Sequence, residues 1–414
     1  MHVLPGVPKV DSVSTSSVPR PEPAAPSRPA GRFDLPRIVR RGIPEGAVPA
    51  LALFAGVRLA GILAVILTNA LRGHPLVRTL AHSWDSRWYL HIAAQGYGHK
   101  MWITPQGAVQ TDWAFFPLYP ALIRALTTVL PLTPGQAALL IAWLAAGVAA
   151  YGVYVIGHLL YGRGVATALV GLWAVLPHAV ELTIAYTESL FAALAIWALY
   201  CVLKGRWLWA GSLAAFAGLA RPSGFAVAGA VALAAGCEAW RRRGRVSWRL
   251  WAGAVLAPLG FLGYVLWVGT QVGNLFGGYF KVQSAWDSRF DFGVGAARFV
   301  KALLLHGGGV VYTVALLVVA TGVLLFALLC LDRPPLVLVV FSGVLILLVL
   351  GGSGSFSSKP RFLLPAFPLL IPMARALART WRVRPGQAVL VYGALTLVSL
   401  FFGAYVTAVA HSPL

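Results

Sequence analysis

The sequence predicts an all-α, polytopic membrane protein, and three observations carry that prediction. The 414-residue chain is 59% hydrophobic and 11% charged, and its mean hydropathy of +0.78 lies outside what water-soluble globular chains show. Apolar runs of roughly 20 residues recur along it, long enough to cross a hydrocarbon core as helix. These runs are continuous and lack the short alternating segments of a membrane barrel; lipid tolerates no other spanning backbone.

The elements follow in chain order. Residues 1–45 are rich in Pro, Ser, Ala and Arg and lack the compact apolar core of a signal peptide. They read as a disordered cytoplasmic tail, closed by Arg37, Arg40 and Arg41 just before the first span. Residues 46–414 form the transmembrane domain. About eleven spans are expected, at 49–71, 136–160, 164–181, 186–203, 207–220, 222–240, 250–271, 308–331, 335–351, 361–379 and 387–410. The fifth is short, and Arg221-Pro222 breaks it from the sixth; such a break is tolerated only against protein or a wet cavity.

The loops set the orientation. With the N-terminus inside, the inner loops contain Arg163, Lys204 and Arg206, then "RRRGRVSWR" at 241–249 with five arginines, then "LDRPP" and "ARTWRVRPG". That bias fixes an N-in, C-out topology. It also accounts for the formal charge of +21, and with no soluble domain to carry a basic surface, nucleic-acid binding is excluded. Cys201, Cys237 and Cys330 fall near the inner face, so no disulfide framework is expected.

The same threading places Asp85, Asp112, His178, Glu181, Glu188, Arg221, Asp287, Lys359 and Arg361 at the outer face. In a chain with only 12 acids, that segregation is informative, because ionisable groups at membrane depth are costly and usually functional. The first outer loop, 72–135, holds two unusual stretches. In "HSWDSRWYLHIAAQGYG", Ser83 can cap a helix that runs to about Gln95 and stops at Gly96. Trp84, Trp88 and Ile92 recur every four residues, a stripe suited to a membrane surface, with Tyr89 beside it and Asp85 in the first turn. "TDWAFFPLYPALIRAL" starts on Asp112, crosses an aromatic-proline stretch and becomes an apolar helix. Two juxtamembrane helices would then clasp a site at the outer boundary.

Each residue also has a plain structural reading. An acid in a first turn favours the helix dipole; Asp112 can cap or turn the chain before Phe115-Phe116-Pro117; interfacial aromatics form a belt. The other outer groups tilt the balance: "YTESLF" puts Glu188 at the start of a span, "LARPSGF" puts Arg221 at a break, and "SSKPRFLLPAFP" puts Lys359 and Arg361 at the mouth of another. A carboxylate facing cations at a lipid boundary suits transfer from a lipid phosphate. The attacking hydroxyl loses its proton to a base, and arginine stabilises the departing phosphate.

Together, "WDSRWYLHIAAQGY", "AFFPLYPALI", "YTESLF", "ARPSG" and "KPRFLLPAFP" resemble, in order and spacing, the PIG-V family, the mannosyltransferase 2 of glycosylphosphatidylinositol synthesis and its bacterial relatives. The likeness runs from about residue 50 to the end. It implies a C-type glycosyltransferase (GT-C) fold that takes sugar from a polyprenyl-phosphate donor on the extracytoplasmic side. It also implies Asp85 as the leading catalytic residue beside Trp84, and inversion at the anomeric carbon. The Ala/Arg/Gly/Val-rich composition is of a high-GC actinobacterial kind, where the donor would be polyprenyl-phosphate mannose and the acceptor a glycolipid or cell-envelope glycan. Asp112 is the second catalytic candidate; Trp84, Trp88, Tyr89, Glu188, Arg221, Lys359 and Arg361 are candidates for substrate binding. No cofactor and no metal are called for. The main rivals are weaker. A transporter or flippase favours inverted repeats and midplane sites, and no repeat is evident. A metal-dependent nucleotide-sugar enzyme usually needs closely paired acids, and Asp287 and Asp291 in "WDSRFDF" are spaced too loosely.

Overall fold

The computed structural model describes residue 2 and residues 44–73, 76–105 and 107–410. The expected tail, with Arg37, Arg40 and Arg41, lies outside the described residues. Helix α1 (Ala47–Arg72) is followed by two short helices, α2 (Leu76–Ala81) and α3 (Ser86–Gln95). An antiparallel hairpin comes next, β1 (Met101–Ile103) and β2 (Val109–Thr111), then a 3-10 turn (Asp112–Ala114) and α4 (Leu118–Val129). Helices α5 (Pro134–Tyr161), α6 (Arg163–Ala174), α7 (Glu188–Leu203), α8 (Trp207–Ala220) and α9 (Gly224–Arg241) build the centre of the bundle. After them come α10 (Trp248–Leu256), α11 (Leu259–Gln271), α12 (Gly278–Ala285), α13 (Val294–His306), α14 (Val310–Leu331) and α15 (Leu336–Gly351). Two 3-10 turns, Phe356–Leu363 and Phe367–Leu370, lead into α16 (Ile371–Val383), and α17 (Pro385–Ala408) closes the bundle.

Among the described residues, α1, α5, α14, α17 and the α10–α11 pair are long and apolar enough to cross a membrane. The chain is a multi-pass membrane protein. The expected spans map onto helices with three internal breaks. The span expected at 361–379 is bent by 79° between its 3-10 and α-helical parts. The one expected at 250–271 is divided at Ala257-Pro258, where proline removes a backbone donor. The one expected at 164–181 stops as α-helix at Ala174 and resumes as a 3-10 turn, Ala179–Leu182, beyond Pro177. Arg58 of α1, 7% exposed, holds that break together by donating to the carbonyls of Ala174 and Ala179.

Packing in the centre depends on small residues. The core cluster contains Ala145, Ala146, Ala149, Ala192, Ala195, Ala214 and Ala217, and Cβ atoms built at Gly211 and Gly260 would collide with the carbonyls of Gly253 and Ala215. The backbones of α8 and α10–α11 therefore approach closely, the usual way helices associate where lipid offers no hydrophobic driving force.

The first outer loop differs from expectation in three respects. The hairpin was not foreseen. Ser83 does not cap α3: its hydroxyl donates to the Thr79 carbonyl at 2.6 Å, and the helix starts after Asp85. Past one 3-10 turn and Phe115-Phe116-Pro117, α4 begins as expected. The Trp84/Trp88/Ile92 stripe does not lie on a membrane surface. Trp88 stacks on Phe115 at 5.4 Å and meets Trp286 edge-on at 5.0 Å, with Ile92 buried in the same cluster. Loop aromatics from residues 115 and 286 cover the face that lipid was expected to cover. Gly96 does end the helix, at a φ of +85°.

Candidate active site

The site forms where three helix ends meet. Asp85 precedes α3, Glu188 opens α7, Arg221 follows α8, and Arg361 sits in the 3-10 turn Phe356–Leu363. An Asp85 carboxylate oxygen accepts from Arg361 Nη1 at 2.8 Å. Arg361 Nε lies 3.8 Å from Glu188 Oε1, and the same oxygen is ion-paired with Arg221. The four side chains therefore form one alternating chain, Asp85–Arg361–Glu188–Arg221. Glu188 and Arg221 are buried, while Asp85 keeps 28% of its side chain exposed and Arg361 14%. The exposed end of the chain is the carboxylate.

Aromatic rings set the geometry. Both guanidinium groups lie over the ring of Phe362, at 5.2 Å for Arg221 and 5.4 Å for Arg361. Arg361 also lies 5.6 Å from the ring of Tyr186, whose hydroxyl accepts from the Asp85 backbone N–H at 3.4 Å. Tyr186 thus touches both Asp85 and Arg361. The sequence reading did not single it out, although it stands two residues before Glu188. Trp84, at a left-handed φ of +43°, turns the chain into α3 just before Asp85. Tyr89 is buried with its hydroxyl 3.5 Å from Thr187 Oγ1, next to Glu188 in sequence, and packs edge-on against Phe115 and Tyr119. Trp88 and Tyr89 brace the helix that presents Asp85. Behind the chain lie His178 and Glu181, both buried, whose side-chain polar atoms find no hydrogen-bond partner among the described residues.

Two candidates stand apart from this chain. Asp112, fully buried, accepts from the backbone N–H groups of Gly98, His99 and Lys100 at 3.1–3.3 Å. It ties the end of α3 to the hairpin. Lys359 donates to the Gly352 carbonyl at 2.7 Å and lies over the Phe356 ring at 4.9 Å. Lys100, beside Asp112, lies 4.5 Å over the ring of Trp88; partial burial and then Arg87 push its ammonium below the usual lysine range, with Asp112 opposing. Asp112→Asn is expected to loosen the loop, since each hydrogen bond to a charged acceptor contributes about 1.5–3 kcal/mol. Amide exchange at Gly98, His99 and Lys100 should rise by about tenfold or more in mass-spectrometric hydrogen exchange, with turnover reduced far less than by a change at Asp85. A turnover loss as deep as that of Asp85→Asn, with exchange unchanged, would give Asp112 a chemical role instead.

No family model matches this chain, and no curated protein matches it. Solved structures do. ArnT from Cupriavidus metallidurans, bound to undecaprenyl phosphate, superposes with a TM-score of 0.52 at 13% identity, over 87% of this chain and 76% of that one. The apo oligosaccharyltransferase of Archaeoglobus fulgidus gives a TM-score of 0.51 at 15% identity, over 88% of this chain. This chain has the GT-C glycosyltransferase fold. It spans 56% of the length of the archaeal oligosaccharyltransferase. The archaeal enzyme, AglB, in complex with an inhibitory peptide and a dolichol-phosphate, gives a TM-score of 0.50 at 15% identity.

Proposed function

We propose that the protein is an integral membrane glycosyltransferase of the PIG-V type. It moves mannose from polyprenyl-phosphate mannose to a glycolipid or cell-envelope glycan on the extracytoplasmic face. The observation that carries this reading is the contact between Asp85 and Arg361 at the exposed end of a buried ion chain, within a GT-C fold. The bound undecaprenyl phosphate of ArnT and the dolichol-phosphate of AglB agree with a lipid-phosphate donor.

Catalysis in this site needs the ion pair to open. A donor phosphate arriving beside Arg361 competes with Asp85 for the guanidinium. Once Arg361 turns to the phosphate, the Asp85 carboxylate is free to accept the proton of the acceptor hydroxyl. That oxygen forms its bond to the anomeric carbon as the bond from that carbon to the phosphate oxygen breaks, its electron pair leaving with the lipid phosphate. Arg361 meets the growing negative charge, and Glu188 and Arg221 hold Arg361 from behind. A single displacement inverts the anomeric configuration. Asp85, left protonated, passes its proton to water or to the departing phosphate.

The test is a deletion strain whose lipids and glycoproteins are compared by mass spectrometry. One species should lack a single hexose, restored by the wild-type gene and not by Asp85→Asn. In purified protein, Arg361→Gln should weaken binding of polyprenyl phosphate by roughly 10–100-fold, the range of a lost charge-assisted hydrogen bond. An unchanged glycan profile in the deletion strain, together with unchanged phosphate binding by a well-folded Arg361→Gln, rejects the proposal.

A further inference from the structure

The turn between α9 and α10, "RRRGRVSWR" at 241–249, takes no part in the candidate site. Helix α9 starts just after Arg221, and its 18 residues rise about 27 Å, close to the thickness of a hydrocarbon core. The α10–α11 span then begins at Trp248. The turn therefore lies at the membrane boundary opposite Asp85 and Arg361. Arg241, Arg242, Arg243, Arg245 and Arg249 are all exposed there. Arg242 is paired with Glu238 at 2.5 Å; the other four have no acid partner among the described residues.

The arginines stand on a built turn. The N–H groups of Arg243 and Gly244 donate to the carbonyls of Trp240 and Ala239, at 3.0 and 2.8 Å. Val246 packs on the buried cluster of Ala239 and Leu250, and the Ser247 hydroxyl caps α10 by accepting from the Arg249 N–H at 3.4 Å. Arg243 and Gly244 both have left-handed backbone, at φ +49° and +76°. Glycine adopts that geometry freely and arginine does not, so folding alone would favour a second glycine at 243. Three indoles frame the turn: Trp240, Trp248 and Trp251 are 86%, 66% and 52% exposed. Tryptophan so placed sits at headgroup level, which puts the arginines beside the phosphates.

We infer that this turn is a binding site for anionic phospholipids on the membrane face opposite the candidate active site. The guanidinium groups of Arg241, Arg243, Arg245 and Arg249 take the headgroup phosphates, and the indoles lie against the glycerol and upper acyl region. Charge complementarity selects the occupant. Arginines clustered without acids attract anionic lipid, and the exposed indoles beside them need an apolar neighbour, which a soluble phosphate does not supply. Guanidinium forks match pairs of phosphate oxygens, and an ammonium does not. The charge bias that sets topology needs no such fork, so an arginine-to-lysine exchange separates the two roles. The turn is already ordered, so binding has little chain left to order. The inference does not depend on the reaction proposed above.

The test uses full-length protein in detergent micelles and native mass spectrometry, with phosphatidylglycerol, cardiolipin and phosphatidylcholine as probes. Wild type should retain the two anionic lipids over phosphatidylcholine by about tenfold or more. Arg243→Gly suits the left-handed backbone and removes one guanidinium. It should lower anionic-lipid affinity by about three- to tenfold without lowering the Tm. The triple exchange Arg241→Lys/Arg243→Lys/Arg245→Lys keeps the charge and the topology signal, and it should also weaken anionic-lipid binding. Arg379→Gln/Arg382→Gln/Arg384→Gln, at the end of α16, removes as many exposed arginines elsewhere and should leave the selectivity nearly unchanged. Equal retention of all three lipids by wild type overturns the inference. Unchanged selectivity in Arg243→Gly or in the lysine triple also overturns it, reducing the turn to its topological charge. An equal loss in the α16 triple does the same, because the attraction is then diffuse.

Discussion

Asp85→Asn is expected to lower turnover by about 10²–10⁴-fold, the contribution of a positioned general base, while binding of the donor's phosphate tightens. The second half of this expectation separates chemistry from architecture. In the resting site an Asp85 oxygen holds Arg361 Nη1 at 2.8 Å, so carboxylate and phosphate compete for one guanidinium. Asparagine keeps the size and can still accept a hydrogen bond, but it carries no charge. The pair is partly exposed, so releasing it frees roughly 0.4–1 kcal/mol, or two- to fivefold in affinity for polyprenyl phosphate. Equilibrium binding and single-turnover assays on the same preparation read both effects. Near-normal turnover would remove Asp85 from the chemistry. Weaker phosphate binding with lost turnover would mean that Asp85 builds the phosphate site rather than competing with it. The same competition makes order matter: donor must bind before acceptor, because the base is released only when the phosphate draws Arg361 away.

The bundle and the convergence of charge at helix ends were legible because both follow from costs that lipid imposes. Long uncharged runs have one stable form in a membrane, and ionisable residues placed there gather with one another; Glu188, Arg221 and Arg361 sit at the predicted ends and meet. What stayed illegible depends on geometry finer than spacing. Trp88 and Ile92 repeat at helical period, which marks a covered face but not what covers it; the cover is Phe115 and Trp286, which come from distant parts of the chain. Lys359 and Arg361 are close in sequence and both are expected, like Arg221, to bind substrate. In a 3-10 turn, residues three apart are the ones that eclipse, so positions 359 and 361 leave the helix in different directions. One reaches Asp85 and the other Gly352. Asp112 and Asp85 look alike in sequence, each an acid beside a tryptophan. They differ in what surrounds them: three backbone amides occupy Asp112, and an arginine at the edge of the exposed site holds Asp85.

Glu188→Gln should be the most destabilising single change in the site, and its cause lies in how few anions serve the two arginines. Glu188 is 1% exposed, paired with Arg221 and 3.8 Å from Arg361 Nε. Both guanidinium groups also flank Phe362, which fixes them near each other. With glutamine at 188, Arg361 keeps Asp85, but Arg221, 7% exposed, keeps no carboxylate partner among the described residues. Removing one member of a buried pair leaves an uncompensated charge and costs about 3–5 kcal/mol. Thermal unfolding in detergent should therefore show a clearly lowered Tm, and turnover should fall because Arg361 loses its rear support. The double variant Glu188→Gln/Arg221→Met removes the stranded charge as well. It should recover most of the lost stability, since coupled neighbours are strongly non-additive, without recovering turnover. That split follows if Glu188 and Arg221 are the frame that aims Arg361. An unchanged Tm for Glu188→Gln with polyprenyl-phosphate binding abolished would instead place Glu188 against the substrate, and the frame would have to be sought in the buried Glu181 behind it.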